Sequence, residues 1–411
     1  MLKIISAADA RSLERVIATG AATDRALEQR VAAIVADVRK GGDRALLAYA
    51  RRYDGLTGAI EVDPDEIAEG AGTVPAAVRR ALRTAARHVT EVARAQVPRT
   101  TRVRVAPGVT IEQRVAPLQR VACYVPAGRY PLPSSLLMTA IPARVAGVPE
   151  IVAACPRPGP AVFAAALEAG VTRLFRMGGA HAIAALAYGT ASVPRVDKIV
   201  GPGNAYVAAA KALVARDCAI DFYAGPSEIV VVASGGDPAW VAADLVAQAE
   251  HDVDARAILL TSSKRFAQAV RKAVAAQLPA EGPARLALQR NGAIVVTRSL
   301  RESIAIADRL APEHLVCDDE RVVDGVRAGA VFVGPWAAQA AGDYATGSNH
   351  VLPTRGAARS RGGLSAADFV RITAVQRLTQ RGLRGIAPAV VALAEAEGLS
   401  GHARSIRVRL P

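Results

Sequence analysis

Several residue types are scarce in this 411-residue chain, and each scarcity excludes a class of protein. Only 4% of the residues are aromatic, so Ala, Val and Leu must fill the core of a chain that is 51% hydrophobic. No apolar stretch reaches the roughly 18 uncharged residues that a membrane span requires, and the N-terminus lacks the apolar region of a signal peptide. We therefore expect a cytoplasmic protein with no membrane partner.

Cysteine is limited to Cys123, Cys155, Cys218 and Cys317. None of them forms a C-x-x-C pair, and all lie in or beside apolar runs, which predicts buried reduced thiols. Cys123 or Cys155 could be a catalytic thiol, but the strand-like apolar context of Cys123 offers no adjacent base. Core packing is therefore the better interpretation.

Acidic residues are also in the minority, and the formal net charge is +14. The basic residues are mostly Arg and are scattered, with nothing longer than pairs such as Arg51-Arg52. No basic run is interleaved with aromatics, as many nucleic-acid surfaces require. We expect no nucleic-acid partner, and a positive field that helps an anionic cofactor to arrive.

The order of the hydrophobic patterns predicts an α/β fold. Helical periodicity in "DRALEQRVAAIVADVRKGG" and "PAAVRRALRTAARHVTEVARAQV" is followed by alternating, hairpin-like strands, and from "EIVAACP" onward short apolar strands alternate with helices. That rhythm favours parallel sheets covered by helices on both faces. It resumes after Gly225, which indicates two α/β units. The residues from "SAADFVRIT" to the end are expected to be helical.

Two glycine turns follow predicted strands, "RMGGAHA" and "VGPGNAY". Ligands collect beyond the carboxyl ends of parallel strands, where helix N-termini favour phosphate. Neither turn is a G-x-G-x-x-G fingerprint, and tight turns use glycine without any ligand. A dinucleotide site and a plain βα turn therefore both remain possible.

The chain has six histidines, and four of them stand beside other polar groups. Gln248 and His251 end a predicted helix, Glu313 and His314 form the dipeptide of "LAPEHLV", and Asp343 opens a glycine-rich loop. Taken singly, these are ordinary capping or solvated residues. Taken together, nitrogen and carboxylate groups of this kind can hold zinc with one open position.

Seven segments, in this order, resemble histidinol dehydrogenases, and the resemblance runs from about Asp24 to the C-terminus. They are "MGGAHAIAALAYGT", "VDKIVGPGNAYVAAAK", "AGPSEIVVVA", "DLVAQAEHDVDARAILL", "LAPEHL", "GDYATGSNHVLPT" and "AEAEGLSGHARSIRVR".

The resemblance implies an oxidation of L-histidinol to L-histidine through an aldehyde, in two NAD-dependent steps. It also implies one zinc ion per subunit and an intertwined homodimer with shared active sites. Gln248, His251 and Asp343 match zinc ligands of one chain, and His402 matches the ligand from the partner chain. This set would explain why an otherwise apolar helix ends in polar residues.

The same resemblance assigns the remaining site residues. His314 matches the general base, and Glu313 the residue that activates water. Candidate cofactor contacts are Tyr124, His181 and Asn204. Substrate contacts are expected from Ser227, Gln248, His251, His314, Asp343, His350, Glu397 and His402.

Two positions depart from the family pattern, and both concern the cofactor half. His181 stands where the family usually has Gln, and Ala127 makes "PAG" of the usual "PGG". An alanine at positive φ would cost about 1 kcal/mol. We expect altered NAD affinity rather than lost chemistry.

We expect two Rossmann-like parallel-sheet domains without a G-x-G-x-x-G fingerprint, plus small helical terminal segments. The expected boundaries are 1–20 for an N-terminal helical segment, 21–123 with 228–363 for a first domain carrying the metal and acid–base residues, 124–227 for the NAD-binding domain, and 364–411 for a helical tail on the partner subunit. Two alternatives remain open. One is a sibling dehydrogenase of another small polar alcohol, and the other is a catalytically retired basic protein that binds nucleic acid.

Overall fold

The computed structural model describes residues 2–18, 25–126, 132–223 and 225–410. The β-strands are β1 (Lys3–Ser6), β2 (Thr101–Ala106), β3 (Val109–Pro117), β4 (Arg120–Tyr124), β5 (Glu150–Ala154), β6 (Arg173–Phe175), β7 (Lys198–Val200), β8 (Ala219–Ile220), β9 (Glu228–Val232), β10 (Arg256–Thr261), β11 (Ala293–Val296), β12 (His314–Cys317), β13 (Ala330–Val333) and β14 (Val370–Leu378). The α-helices are α1 (Ala10–Ile17), α2 (Arg25–Tyr49), α3 (Pro64–Gly72), α4 (Ala76–Gln96), α5 (Pro133–Val145), α6 (Pro160–Ala169), α7 (Gly179–Tyr188), α8 (Ala205–Val214), α9 (Pro238–Ala249), α10 (Lys264–Gln277), α11 (Ala284–Asn291), α12 (Leu300–Leu310), α13 (Glu320–Gly325), α14 (Gln339–Tyr344), α15 (Gln380–Ala396) and α16 (Ser400–Arg407).

A five-stranded parallel sheet in the order β6-β5-β4-β7-β8 forms one α/β unit. Alternate residues of β4 point to opposite faces, so Val121 and Cys123 join one apolar cluster while Ala122 and Tyr124 join another. Helices α3 to α6 cover the first face, and α2, α7 and α8 cover the second. Both faces of this sheet are therefore buried, as expected for a parallel sheet.

A six-stranded parallel sheet in the order β1-β11-β10-β9-β12-β13 forms the second unit. Val231 and Leu259 belong to the cluster on one face, and Val230 and Leu260 to the cluster on the other. Helix α9 begins as the sequence predicts, because the Asp237 carboxylate accepts the Ala239 N–H and Pro238 occupies the first turn. The expected α/β class with two parallel sheets is confirmed.

A smaller antiparallel sheet, β14-β3-β2, joins the C-terminal part of the chain to the body. The C-terminal arm, residues 370–410, consists of β14, α15 and α16. None of the four apolar clusters in the described residues includes a residue beyond Val370. Leu393 is 65% exposed and Val408 67% exposed, so the arm has large apolar side chains on its surface.

Three expectations differ from the observed packing. The N-terminal segment is not only helical, since β1 pairs with β11 at the sheet edge before α1 begins. The C-terminal segment is not only helical either. It begins with strand β14, which contains β-branched residues such as Ile372 and Thr373 and pairs with β3. We grouped helices α2 and α4 with residues 228–363, but they pack on the five-stranded sheet, which buries their apolar faces.

No helix in the four described ranges is long and apolar enough to cross a membrane. Each of the four cysteines is buried and free of a disulfide. Burial raises the pKa of the Cys123 thiol to about 12, so this side chain packs in the core as expected and offers no thiolate near neutral pH.

Candidate active site between two sheet edges

The acid–base residues lie at the amino edge of the six-stranded sheet. Ser227 directly precedes β9, Glu313 directly precedes β12, and the two strands are hydrogen-bonded neighbours. The predicted cofactor turns lie instead beyond the carboxyl ends of β6 and β7 in the five-stranded sheet. Ser135 Oγ of α5 lies 3.4 Å from His350 Nε2. This contact connects the region of the five-stranded sheet to that of the acid–base residues.

Glu313 is a buried carboxylate held by two donors. The Ser227 hydroxyl donates to Oε2 at 2.6 Å, and the backbone N–H of Glu228 donates to the same oxygen at 2.8 Å. Burial outweighs these hydrogen bonds and raises the pKa of Glu313 to about 8. A carboxyl group with this pKa can exchange a proton near neutral pH.

His314 is 2% exposed and is fixed in one tautomer. Its Nδ1 lies 3.2 Å from the carbonyl oxygen of Glu228, and a carbonyl can only accept, so Nδ1 carries the proton. Burial lowers the pKa of the ring, which keeps it neutral at pH 7. Its buried Nε2 has no hydrogen-bond partner among the described residues and lies 3.7 Å from Asp343 Oδ1. The structure therefore presents a free imidazole lone pair inside the site.

His251 and His350 are held in the same tautomer as His314. His251 Nδ1 lies 3.2 Å from the Gln248 carbonyl oxygen, and His350 Nδ1 lies 2.8 Å from the Asp343 carbonyl oxygen. Both rings thus keep Nε2 as the acceptor nitrogen. His251 Nε2 is 3.9 Å from Asp343 Oδ2, and burial lowers the pKa of His350.

Gln248 supplies an oxygen that the folded chain leaves unused. It lies in the last turn of α9 and is fully buried. Its Nε2 donates to Ser227 Oγ, whereas its Oε1 has no partner in the described part of the chain. An unsatisfied buried carbonyl costs about 1–3 kcal/mol, so this atom is explained if a bound group uses it.

These atoms fit a metal better than they fit one another. Gln248 Oε1, His251 Nε2 and the Asp343 carboxylate are suitable zinc ligands from two segments, the end of α9 and helix α14. Within the described ranges, no group of three or more His, Cys, Asp or Glu side chains could hold a metal ion. The described chain thus offers one histidine, one carboxylate and one amide oxygen at this site.

The arm residues Glu397 and His402 are not brought to this site within one chain. Glu397 caps the C-terminus of α15, and His402 lies in α16. Both are exposed. Among the described residues, no hydrogen bond or ion pair joins either side chain to Gln248, His251 or Asp343.

The second glycine turn is built around Gly201, which has φ of 117°. The Asp221 carboxylate accepts the Gly201 N–H at 2.8 Å, and Lys211 Nζ donates to the Gly201 carbonyl at 2.9 Å. A Cβ at this position would collide with the Tyr124 carbonyl oxygen. Asn204 caps the following helix by accepting the N–H groups of residues 206 and 207.

The first glycine turn is held by Asp54, which the sequence analysis did not single out. The Gly178 N–H donates to Asp54 Oδ2 at 2.9 Å, and His181 Nε2 lies 2.8 Å from the same oxygen. The Gly179 N–H donates to the Tyr124 hydroxyl at 3.1 Å. His181 is buried and stacks on Tyr49 with ring centroids 5.9 Å apart.

Known proteins share the sequence pattern and the fold of this chain. The family model described as "Histidinol dehydrogenase" matches residues 18–410. The chain belongs to the histidinol dehydrogenase family. Membership confirms the resemblance read from the sequence and makes the chain an oxidoreductase.

Relatives with the name histidinol dehydrogenase are similar over nearly their full length. One from Geobacter sulfurreducens is 46% identical and covers 96% of each chain. Another, from Caulobacter vibrioides, is 47% identical over 94% of this chain and 93% of its own. The crystal structure of histidinol dehydrogenase from Elizabethkingia anophelis superposes with a TM-score of 0.94, at 32% identity, over 100% of this chain and 98% of that chain.

Of the two departures from the histidinol dehydrogenase pattern, one can be followed here. His181 uses Nε2 on Asp54, so this nitrogen is not available to a cofactor. Ala127 lies outside the described residues. Sequence reasoning also missed Gln339, which donates to Asp343 Oδ2 at 2.8 Å. The spacing of four residues between them, one helical turn, could have indicated that contact.

Proposed function

We propose that this chain oxidises L-histidinol to L-histidine through the aldehyde, in two NAD-dependent steps, as a zinc-dependent homodimer of the cytoplasm. The observation that carries the proposal is the buried, unpartnered Nε2 of His314 beside Asp343. It occurs in a chain whose family is named for histidinol oxidation. A proton acceptor poised beside a ligand-type carboxylate is the arrangement that an alcohol oxidation needs.

His314 is the group that takes the proton of the alcohol. Its tautomer is fixed by the Glu228 carbonyl, so Nε2 is ready to accept without rearrangement. Because burial lowers the ring pKa, the base form predominates at neutral pH. The same nitrogen can accept a proton from the hydrated aldehyde in the second oxidation.

Glu313 is the group that takes a proton from water in the second half of the reaction. Ser227 and the Glu228 N–H hold one carboxylate oxygen in place. With a pKa of about 8 most Glu313 side chains are protonated at pH 7, and the remaining carboxylate form is basic enough to accept that proton.

Gln248, His251 and Asp343 are the residues of one chain that would hold zinc, and the unpartnered Gln248 Oε1 supports this assignment. When bound, zinc supplies a template that orients the imidazole and amino nitrogens of the substrate, and NAD supplies the hydride acceptor. Ser227 and His350 contribute polar atoms to the same region. Tyr124 and Asn204 lie at the glycine turns that would hold the dinucleotide.

The exposed arm supports the shared site. Its α15 and α16 pack on each other and leave Leu393 and Val408 exposed, which is the surface expected of a segment that docks on a second subunit. We assign His402 of the second copy as the fourth ligand. Glu397 of that copy is the assigned substrate contact.

A substrate and metal assay tests the proposal. The protein should form NADH with L-histidinol in proportion to its zinc content. His251→Ala should lose both zinc and turnover. Turnover of another small alcohol, without turnover of histidinol in the zinc-loaded protein, would favour the sibling dehydrogenase. Salt-dependent DNA binding without zinc would favour the retired protein.

A further inference from the structure

Helix α14 carries Asp343 in its last turn, and this short helix is anchored from outside. Its N-cap, Ala338, provides no side-chain hydrogen bond. Instead α14 packs against α9, where the backbone N–H of Gln339, the first residue of α14, faces the Asp244 carboxylate. Helix α9 also carries Gln248, one turn beyond Asp244, so the two helices that bear Gln248 and Asp343 are tied together at this contact.

Gln339 also reaches the Asp343 side chain. It is 1% exposed, and its Nε2 donates to Asp343 Oδ2 at 2.8 Å. Its Oε1 is buried without a partner in the described part of the chain. Asp343 Oδ1 accepts no hydrogen bond from the described residues and lies 3.7 Å from His314 Nε2. The carboxylate therefore has one oxygen held and one oxygen free.

We propose that Gln339 is a positioning residue for Asp343, holding its carboxylate in one orientation for the metal that Gln248 and His251 would also bind, and that Asp244 anchors Gln339 to the helix of Gln248. This inference rests on the zinc site of the proposed function. Hydrogen bonds that orient a metal ligand fix its geometry before the metal arrives, and their loss weakens binding. In this role Gln339 acts through Asp343.

Zinc affinity tests the role of Gln339. Gln339→Met keeps the volume and removes the donor, so we expect zinc binding weaker by about tenfold to hundredfold in chelator competition. Gln277→Met is the matched control, because the exposed Gln277 also donates its amide to α9, at the Ala239 carbonyl. This control should bind zinc as the native protein does. The Co²⁺-loaded Gln339→Met protein should also show a changed d–d absorption spectrum.

A second pair of variants tests the role of Asp244. This pair also tests the positioning of Asp343 if Gln339→Met fails to fold. Asp244→Asn keeps an acceptor oxygen and should retain native zinc affinity, whereas Asp244→Ala should weaken it severalfold. Native zinc affinity in both Gln339→Met and Asp244→Ala, with only a lower unfolding temperature of the metal-free protein, would overturn the inference and leave the proposed function standing. Absence of zinc binding in the native protein would overturn both.

Discussion

His314 Nδ1 lies 3.2 Å from the carbonyl oxygen of Glu228, on the neighbouring strand of the same sheet. His251 and His350 make the same kind of contact, each with a main-chain carbonyl. In all three rings a backbone carbonyl accepts a hydrogen bond from Nδ1–H, so Nε2 is left as the acceptor nitrogen. The fold thus selects the tautomer in which Nε2 can bind a metal ion or accept a proton.

Replacing His314 tests the role of its free nitrogen. His314→Gln retains an amide that can donate to the Glu228 carbonyl but has no basic nitrogen. We expect kcat for NADH formation from L-histidinol to fall by about 10²- to 10⁴-fold. Zinc content should stay near that of the native protein. Equal kcat in variant and native protein would remove His314 from the proton transfer.

Replacing His181 by the usual family residue tests the cofactor half. In His181→Gln the amide can bond Asp54 with one group and offer another to the dinucleotide. One such hydrogen bond contributes about 0.5–1.5 kcal/mol, so we expect KM for NAD to fall by about twofold to tenfold. KM for histidinol should not change, since that site lies at the other sheet edge. An unchanged or increased KM for NAD would show that His181 does not limit cofactor binding.

Glu112 connects the three strands of the antiparallel sheet and predicts a pH dependence. It is buried and accepts hydrogen bonds from Arg102 of β2, Arg114 of β3 and Arg377 of β14. The bonds from Arg102 and Arg114 lower the pKa of Glu112 to about 2. Because the folded pKa lies below the unfolded value of about 4.3, the stabilisation is complete above pH 4.3 and is lost as the pH falls toward 2.

The variant Glu112→Gln should accordingly unfold at a lower temperature than the native protein at pH 7. The difference should shrink as the pH is lowered from about 4.3 toward 2. Protease should release the arm more readily, because Arg377 of β14 would lose its ion pair with Glu112. Glu395→Gln is the matched control, since Glu395 pairs with Arg407 on the exposed surface of the arm, where an ion pair contributes little. A constant difference between variant and native protein across the pH range would contradict this account.

Much of the fold could be predicted from periodicity. The alternation of short apolar strands with helices predicted parallel sheets, and Asp237-Pro238 predicted the start of α9. Periodicity does not report which sheet a helix will cover, and this is why α2 and α4 were grouped with the wrong sheet. Strand β14 was missed because it follows a short polar segment and is largely exposed on both faces, which leaves a weak alternating signal.

The candidate site could be predicted less completely than the fold from the sequence alone. Gln248 and His251 stood out as polar residues at the end of an apolar helix, but only the folded chain brings His251 near Asp343. Asp54 was missed because it contacts Gly178, a residue far away in sequence. Gln339 was missed because its contact with Asp343 depends on a short helix. The partner's contribution of His402 remains a prediction, because one chain shows only an exposed arm.

Hybrid dimers test the central claim, that each site is completed by two chains. A His314→Gln chain and a His402→Ala chain should each be inactive as homodimers, since each lacks one essential group in both sites. After the two are unfolded together, refolded and loaded with zinc, one site in each mixed dimer should contain both native residues. We predict that NADH formation from L-histidinol returns to about one quarter of native activity, as expected for random pairing with one intact site in half of the dimers. No recovered activity in a preparation whose mixed dimers are verified by differential tagging would contradict the shared site.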